Sequence, residues 1–156
     1  MSVEQLKEIV QKVVAQAAEL KDKHTAEANA LVNYACIFSQ SEEEFKEISL
    51  LARRTGKVIE ETPTGPLFQI APLQTSAGPL QLLKVRQPDA SRPEQGDADF
   101  TVRDYQAFKK TNLAKHGFKL IKKENFEMIE LIDSAFKVRA YFSHPPLDQQ
   151  LGLVKK

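Results

Sequence analysis

Along the N-terminal stretch the apolar side chains fall at Val3, Leu6, Val10, Val13, Val14, Ala17 and Leu20, close to the i, i+3, i+4, i+7 spacing that gathers them on one stripe of a helix. The spacing predicts an amphipathic helix over about Val3 to Lys23. Its opposite face carries Glu4, Glu8, Gln11, Lys12, Glu19 and Asp22, and its stripe is expected to pack on the rest of the domain. Beyond residue 30 the period drops toward two. "LVNYACIFSQ" reads as a strand, and "SEEEFKEISLLARRTG" as a helix that Ser41 caps, with Glu44 as the third-residue partner of a capping box and Gly56 as the stop. "KVIEE", "LFQIAPL" and "PLQLLKVRQ" then form three strands, broken by "TPTGP" and "QTSAG".

A polar segment, "PDASRPEQG", reads as a linker, after which the order recurs. "DADFTV" is a strand, "RDYQAFKKTNLAKHG" a helix ending at Gly117, and "FKLIKKEN", "FEMIELID" and "FKVRAYFS" three more strands. The two halves share the pattern but almost no residue identities. The expected class is α+β: two tandem β-α-β-β-β modules, residues 31–88 and 96–143, forming a cupped mixed sheet. Residues 1–30 hold the N-terminal helix, packed on the domain, and residues 31–156 form that domain. The tail "HPPLDQQLGLVKK" begins with breakers and is placed over the sheet.

Composition narrows the functional classes. The 156 residues are 42% hydrophobic and 28% charged, and no apolar run nears the ~20 residues that a bilayer requires, so no membrane partner is expected. "MSVEQLKEIVQK" has acids in its first turns and lacks the apolar core of a secretory signal, which points to the cytoplasm. Twenty-two basic against 21 acidic residues leave no global field toward nucleic acid. "KKTNLAKHGFKLIKK" concentrates six lysines, yet lysines at a helix C-terminus also complement the dipole, and a nucleic-acid partner is not expected. The single cysteine, Cys36, lies in the apolar "YACIFS" and reads as a buried structural thiol. Nucleophile signatures, Gly-rich phosphate loops and CxxC pairs are absent.

The chemistry concentrates in two strands. In "ENFEMIELID", period two puts Glu130 in an apolar row with Phe126, Met128 and Ile132. Either the acid is neutralised by Arg139 or Lys119 on neighbouring strands, or it lines a cavity without a cation. In the second case desolvation would raise its pKa and fit it for general acid or base catalysis. In "GDADFTV", Asp97, Asp99 and Thr101 share one face while Ala98, Phe100 and Val102 share the other, so three polar groups converge on a concave surface or on water. Arg92 in the linker is suited to pair with an acid or to hold an anionic ligand.

Two tandem β-α-β-β-β modules, a short polar link and an acid in an "IEL" strand resemble the vicinal oxygen chelate superfamily, which includes glyoxalase I and the extradiol dioxygenases. The N-terminal helix and the closing "YFSHPPLDQQL" are most similar to the YecM-type branch, glyoxalase-like proteins without an established reaction. The resemblance implies cupped sheets that point ligands at a divalent metal from the first and a late strand of each module. Glu130 matches the glutamate of that pattern, and Gln81 in "PLQLL" is the corresponding residue of module one. Tyr34 in "VNYACIF" and Asp99 in "DADFTV" stand where histidine is usual. The implied metal ligands are Asp99 and Glu130. An all-oxygen set suits Mg, Mn or Ca and is poorly matched to zinc or nickel; His24, His116 and His144 show no ligand spacing.

The expectation is a protein that binds a small oxygen-rich or anionic molecule in the sheet cup. Tyr34, Gln81, Arg92 and Asp99 would be ligand-binding, and Glu130 a general base or an oxygen ligand to a hard cation. The alternative is a non-catalytic binding or interaction module with a decayed metal site, whose N-terminal helix mediates a homodimer or partner contact. The identity of the ligand is not legible in the sequence.

Overall fold

The computed structural model describes residues 1–153; the last three residues of the tail lie outside them. The chain runs α1 (Val3–His24), β1 (Leu31–Phe38), α2 (Glu42–Thr55), β2 (Gly56–Thr62), β3 (Gly65–Thr75), β4 (Gly78–Arg86), β5 (Gly96–Thr101), α3 (Tyr105–Asn112), β6 (Phe118–Lys122), β7 (Glu127–Leu131), β8 (Val138–His144) and α4 (Leu147–Gln150). After α1 this is β-α-β-β-β twice, as the periodicity predicts. All eight strands join one mixed, curved sheet in the order β2-β3-β4-β1-β5-β8-β7-β6. Each module pairs its first and last strands in parallel, β1 with β4 and β5 with β8, and the modules meet through antiparallel β1 and β5. No helix among the described residues is long and apolar enough to cross a membrane.

Helices α1, α2 and α3 cover one face of the sheet. Leu6, Val10, Val14, Ala17 and Leu20 of α1 are buried in a single core with Ala35 and Ile37 of β1, Ala98 and Phe100 of β5, and Ala140 and Phe142 of β8. The apolar stripe of α1 is thus spent on its own chain. Burying side chains of this kind contributes roughly 1.5–3 kcal/mol each before conformational entropy is subtracted. Ser2 accepts from the Gln5 backbone N–H and Gln5 answers to Ser2, a complete capping box that fixes where α1 begins.

Local details differ from the sequence reading in three places. Ser41 does cap α2, accepting from the Glu44 N–H, but the Glu44 carboxylate returns to the N–H of Gln40 rather than to that of Ser41. Gly56 ends α2 in an extended conformation and opens β2, where any Cβ would lie 2.0 Å from the Gln69 carbonyl oxygen across the strand pair. The second-module helix stops at Asn112, five residues short of Gly117. The Asn112 side chain caps backward onto the Phe108 carbonyl, and the chain then turns to Gly117, whose φ of +92° and nearness to the Ile132 carbonyl require glycine.

Candidate functional site

The other sheet face is concave and polar. Residues directly opposed in neighbouring strands project to the same side, so the register defines rows across the cup. One row runs Tyr34, Asp99, Tyr141, Glu130, Lys119 over β1, β5, β8, β7 and β6. The adjacent row runs Lys84, Cys36, Asp97, Arg139 over β4, β1, β5 and β8. A cavity of about 740 Å³ opens above part of these rows: Tyr34, Asp99 and Lys84 are in its wall with Leu67 and Ser143, while Asp97, Arg139, Tyr141 and Glu130 do not line it. The β2–β3 hairpin, the β6–β7 turn and the tail with α4 form its rim through Glu60, Thr62, Phe126, Pro145, Leu147 and Leu151. The tail therefore lies over the sheet, as its breakers suggest.

Glu130 explains its place in an apolar row. It is only 7% exposed, and one oxygen receives the Tyr141 hydroxyl at 2.6 Å and an Arg139 guanidinium N–H at 3.2 Å. Arg139 also meets Glu94 at 3.0 Å and donates to the Ser91 carbonyl. Of the two candidate neutralisers, Arg139 is the one that reaches it; Lys119 stands opposite Glu130 in register but extends to solvent and makes no ion pair with it. Burial pushes the Tyr141 hydroxyl up, so this phenol stays protonated and donating. Both donors fall on one oxygen of Glu130, the arrangement of the alternative in which Arg139 neutralises the acid, and Glu130 does not line the cavity.

Asp99 is likewise occupied. Ser143 donates to it through its backbone N–H at 3.0 Å and through its hydroxyl, and the Asn33 amide reaches it at 3.3 Å. Burial nevertheless dominates and holds its pKa at about 6, the Ser143 bonds opposing the shift. Asp99 and Glu130 lie on β5 and β7 with β8 between them, each carboxylate turned to its own donors. They do not form a chelate, and no cluster of three or more His, Cys, Asp or Glu suited to a metal occurs among the described residues. The donor set does not fit the divalent cation that the resemblance implies.

Gln81 is exposed and lies outside the cavity wall; Lys84, three residues on, stands there instead. Leu80 and Leu83 both enter the core, so the alternation breaks between them, opposite the irregular pairing of β3 between Gln69 and Leu73. Tyr34 is in the wall, and burial raises its pKa well above the ordinary value. Arg92 folds from the linker onto the cup, donating to the Tyr141 hydroxyl at 3.1 Å with its guanidinium over the Phe38 ring. Cys36 is a buried thiol that burial pushes up, with no base to activate it. None of His24, His116 or His144 enters the cavity wall.

Asp97, which the strand pattern places beside Asp99 but does not single out, is buried on the same sheet face without lining the cavity. It is 7% exposed, and no donor among the described residues reaches its buried Oδ1. Burial and then the neighbouring Asp99 raise its pKa to about 7, against the opposing charges of Arg92, Lys84 and Arg86. Lys84 also escaped the sequence reading. Its ammonium donates to the Thr64 hydroxyl, no carboxylate among the described residues lies within ion-pair distance, and burial lowers its pKa. The signal that could have found it is a lysine amid the apolar positions of a strand that is otherwise buried.

No family model matches the chain, and no curated protein matches it. Among solved structures, the structural-genomics target Protein EC4020 superposes with a TM-score of 0.73 over 97% of this chain and 92% of that one, at 9% sequence identity. At that identity the likeness is one of fold.

Proposed function

We propose that this is a glyoxalase-like, YecM-type protein whose cup binds a small oxygen-rich anion directly, without a chelated metal. The carrying observation is Lys84: a partly buried ammonium in the wall of a 740 Å³ cavity, with no carboxylate among the described residues paired to it. A cation held out of water without a counter-ion favours an incoming carboxylate or phosphate. Arg92 adds a guanidinium beside the cavity, with no carboxylate partner among the described residues and held in place by Tyr141 and Phe38, and Tyr34 offers a hydroxyl donor. The closed Glu94–Arg139–Glu130 group supports the binding reading over the metalloenzyme one, because it consumes the position the metal glutamate would hold. A cytoplasmic location belongs to the same proposal, supported by one buried cysteine that has no disulfide partner in the chain.

The test is calorimetric titration of metal-stripped protein with small carboxylates and phosphate esters, and separately with Mn, Mg and Ca. At least one anion is expected to bind, and Lys84→Met to weaken it ~tenfold, the scale of one charge-assisted hydrogen bond. Anion binding unchanged in Lys84→Met would contradict the reading, as would binding of a divalent ion that Glu130→Gln abolishes.

A further inference from the structure

The wall of the 740 Å³ cavity differs from one side to the other. Where β1 and β4 form it, Lys84 and Tyr34 present donors. The two are diagonal neighbours on one sheet face, because Lys84 stands opposite Cys36 and Tyr34 lies two residues before Cys36. Burial keeps the Tyr34 hydroxyl protonated. Glu60 stands in the row of Lys84 beyond Leu67, exposed and outside ion-pair reach of it. Over β7, β8 and the tail the polar groups of the wall are engaged: Ser143 donates to Asp99, and the Gln150 amide donates to the Pro145 carbonyl. Apart from Asn125 and Gln149 at the rim, what remains on this side is apolar: Phe126 from the β6–β7 turn, Met128 from β7, and Pro145, Leu147 and Leu151 from the tail. Leu147 and Leu151 are joined by the α4 turn, the Leu151 N–H donating to the Leu147 carbonyl, so they share one side of it. These side chains are only half-buried, and Phe126, Met128, Leu147 and Leu151 neither belong to the core nor pack against it. Three separate segments thus bring to one cavity an apolar surface that the fold itself does not use.

We infer that the anion is amphiphilic, a carboxylic acid whose oxygens lie against Lys84 and Tyr34 and whose apolar body lies between Phe126, Met128 and the two tail leucines. The inference rests on the anion-binding reading of the cup and deepens it. A ligand with hydroxyls along its whole length would set them against side chains that offer no hydrogen bond, and each hydroxyl so desolvated weakens binding. A wholly apolar ligand would leave the Lys84 ammonium without a counter-ion. Each methylene fully removed from water tightens binding roughly fourfold, and one half covered roughly twofold.

The experiment is calorimetric titration of the full chain with butanoate, hexanoate and octanoate, with gluconate as a hydroxylated six-carbon acid and 1-hexanol as an uncharged six-carbon chain. Affinity is expected to rise at least ~twofold per methylene from butanoate to octanoate, and hexanoate to bind at least ~tenfold more tightly than gluconate or hexanol. Phe126→Ser and Leu151→Asn, both outside the core, should shrink the gain per methylene, while Lys84→Met should weaken every acid by a similar factor and keep that gain. Butanoate binding as tightly as octanoate, or gluconate as tightly as hexanoate, would overturn the inference and leave the anion reading standing. A gain per methylene undiminished in the Phe126→Ser, Leu151→Asn double variant would overturn it in the same way. Failure of every acid to bind, or octanoate binding Lys84→Met as tightly as the unmodified protein, would remove both.

Discussion

Glu130 and Asp97 are both buried acids on the concave face of one sheet, in adjacent rows and to the same 7% exposure, yet their surroundings are opposite. Around Glu130 the strands bring a guanidinium and a phenol into contact, and Arg139 closes the group onto Glu94. Around Asp97 the nearest cations stop short, and one oxygen has no donor. The difference separates two uses of buried charge. An ion-pair group of this kind links β7, β8 and the linker, whereas an uncompensated acid costs stability unless it takes up a proton.

The contrast breaks most visibly at Arg139. Arg139→Met leaves Glu130 and Glu94 buried without their cation and is expected to cost about 3–5 kcal/mol, read by urea unfolding. A loss under 1 kcal/mol would mean that the group is not closed. The opposite sign is expected at the other end of the cup. Asp97 has its pKa raised from 3.8 to about 7, so its contribution to stability is complete below about pH 4 and is lost as pH rises through 7. Asp99, held at about 6, adds a loss over the lower part of that range. The unmodified protein should therefore become less stable from pH 4 to 7, and Asp97→Asn should flatten that decline and gain on the order of 2 kcal/mol at pH 8. Equal pH profiles for the two proteins would contradict the uncompensated state of Asp97.

Smaller effects sharpen the same contrast. Glu130→Gln keeps an acceptor for Tyr141 and leaves Arg139 its Glu94 partner, so a loss of about 1–2 kcal/mol is expected in the same unfolding assay. Arg92→Ala, at a half-exposed residue with no carboxylate partner among the described residues, should change stability by less than about 0.5 kcal/mol while weakening any anion that the cup binds. Thermal melting with and without the anion separates those two readouts.

The fold was legible because its signals are local. The change of period after residue 30, Ser41 before a helix and the Pro–Gly breakers recover both modules in order. The site was legible only in part. Glu130 stood out as an acid in an apolar row, and Arg139 was one of its two foreseen partners. Whether Asp97 or Asp99 finds donors depends on Ser143, 44 residues beyond Asp99, which no local count can supply. Gln81 came from the resemblance, as the module-one counterpart of Glu130; it is exposed, and Lys84 stands in the cavity wall. Arg92 was foreseen as an anion binder, but the turn that carries it onto Phe38 and Tyr141 is a tertiary feature.

The most direct measurement is the titration of the Asp97 side-chain carboxyl by carbon-13 NMR in the ligand-free protein. A midpoint near 7 is the result expected of a buried carboxyl that lacks a partner. A midpoint at or below the ordinary 3.8 would mean that the folded protein already supplies the missing donor or cation, and that Asp97 is as compensated as Glu130.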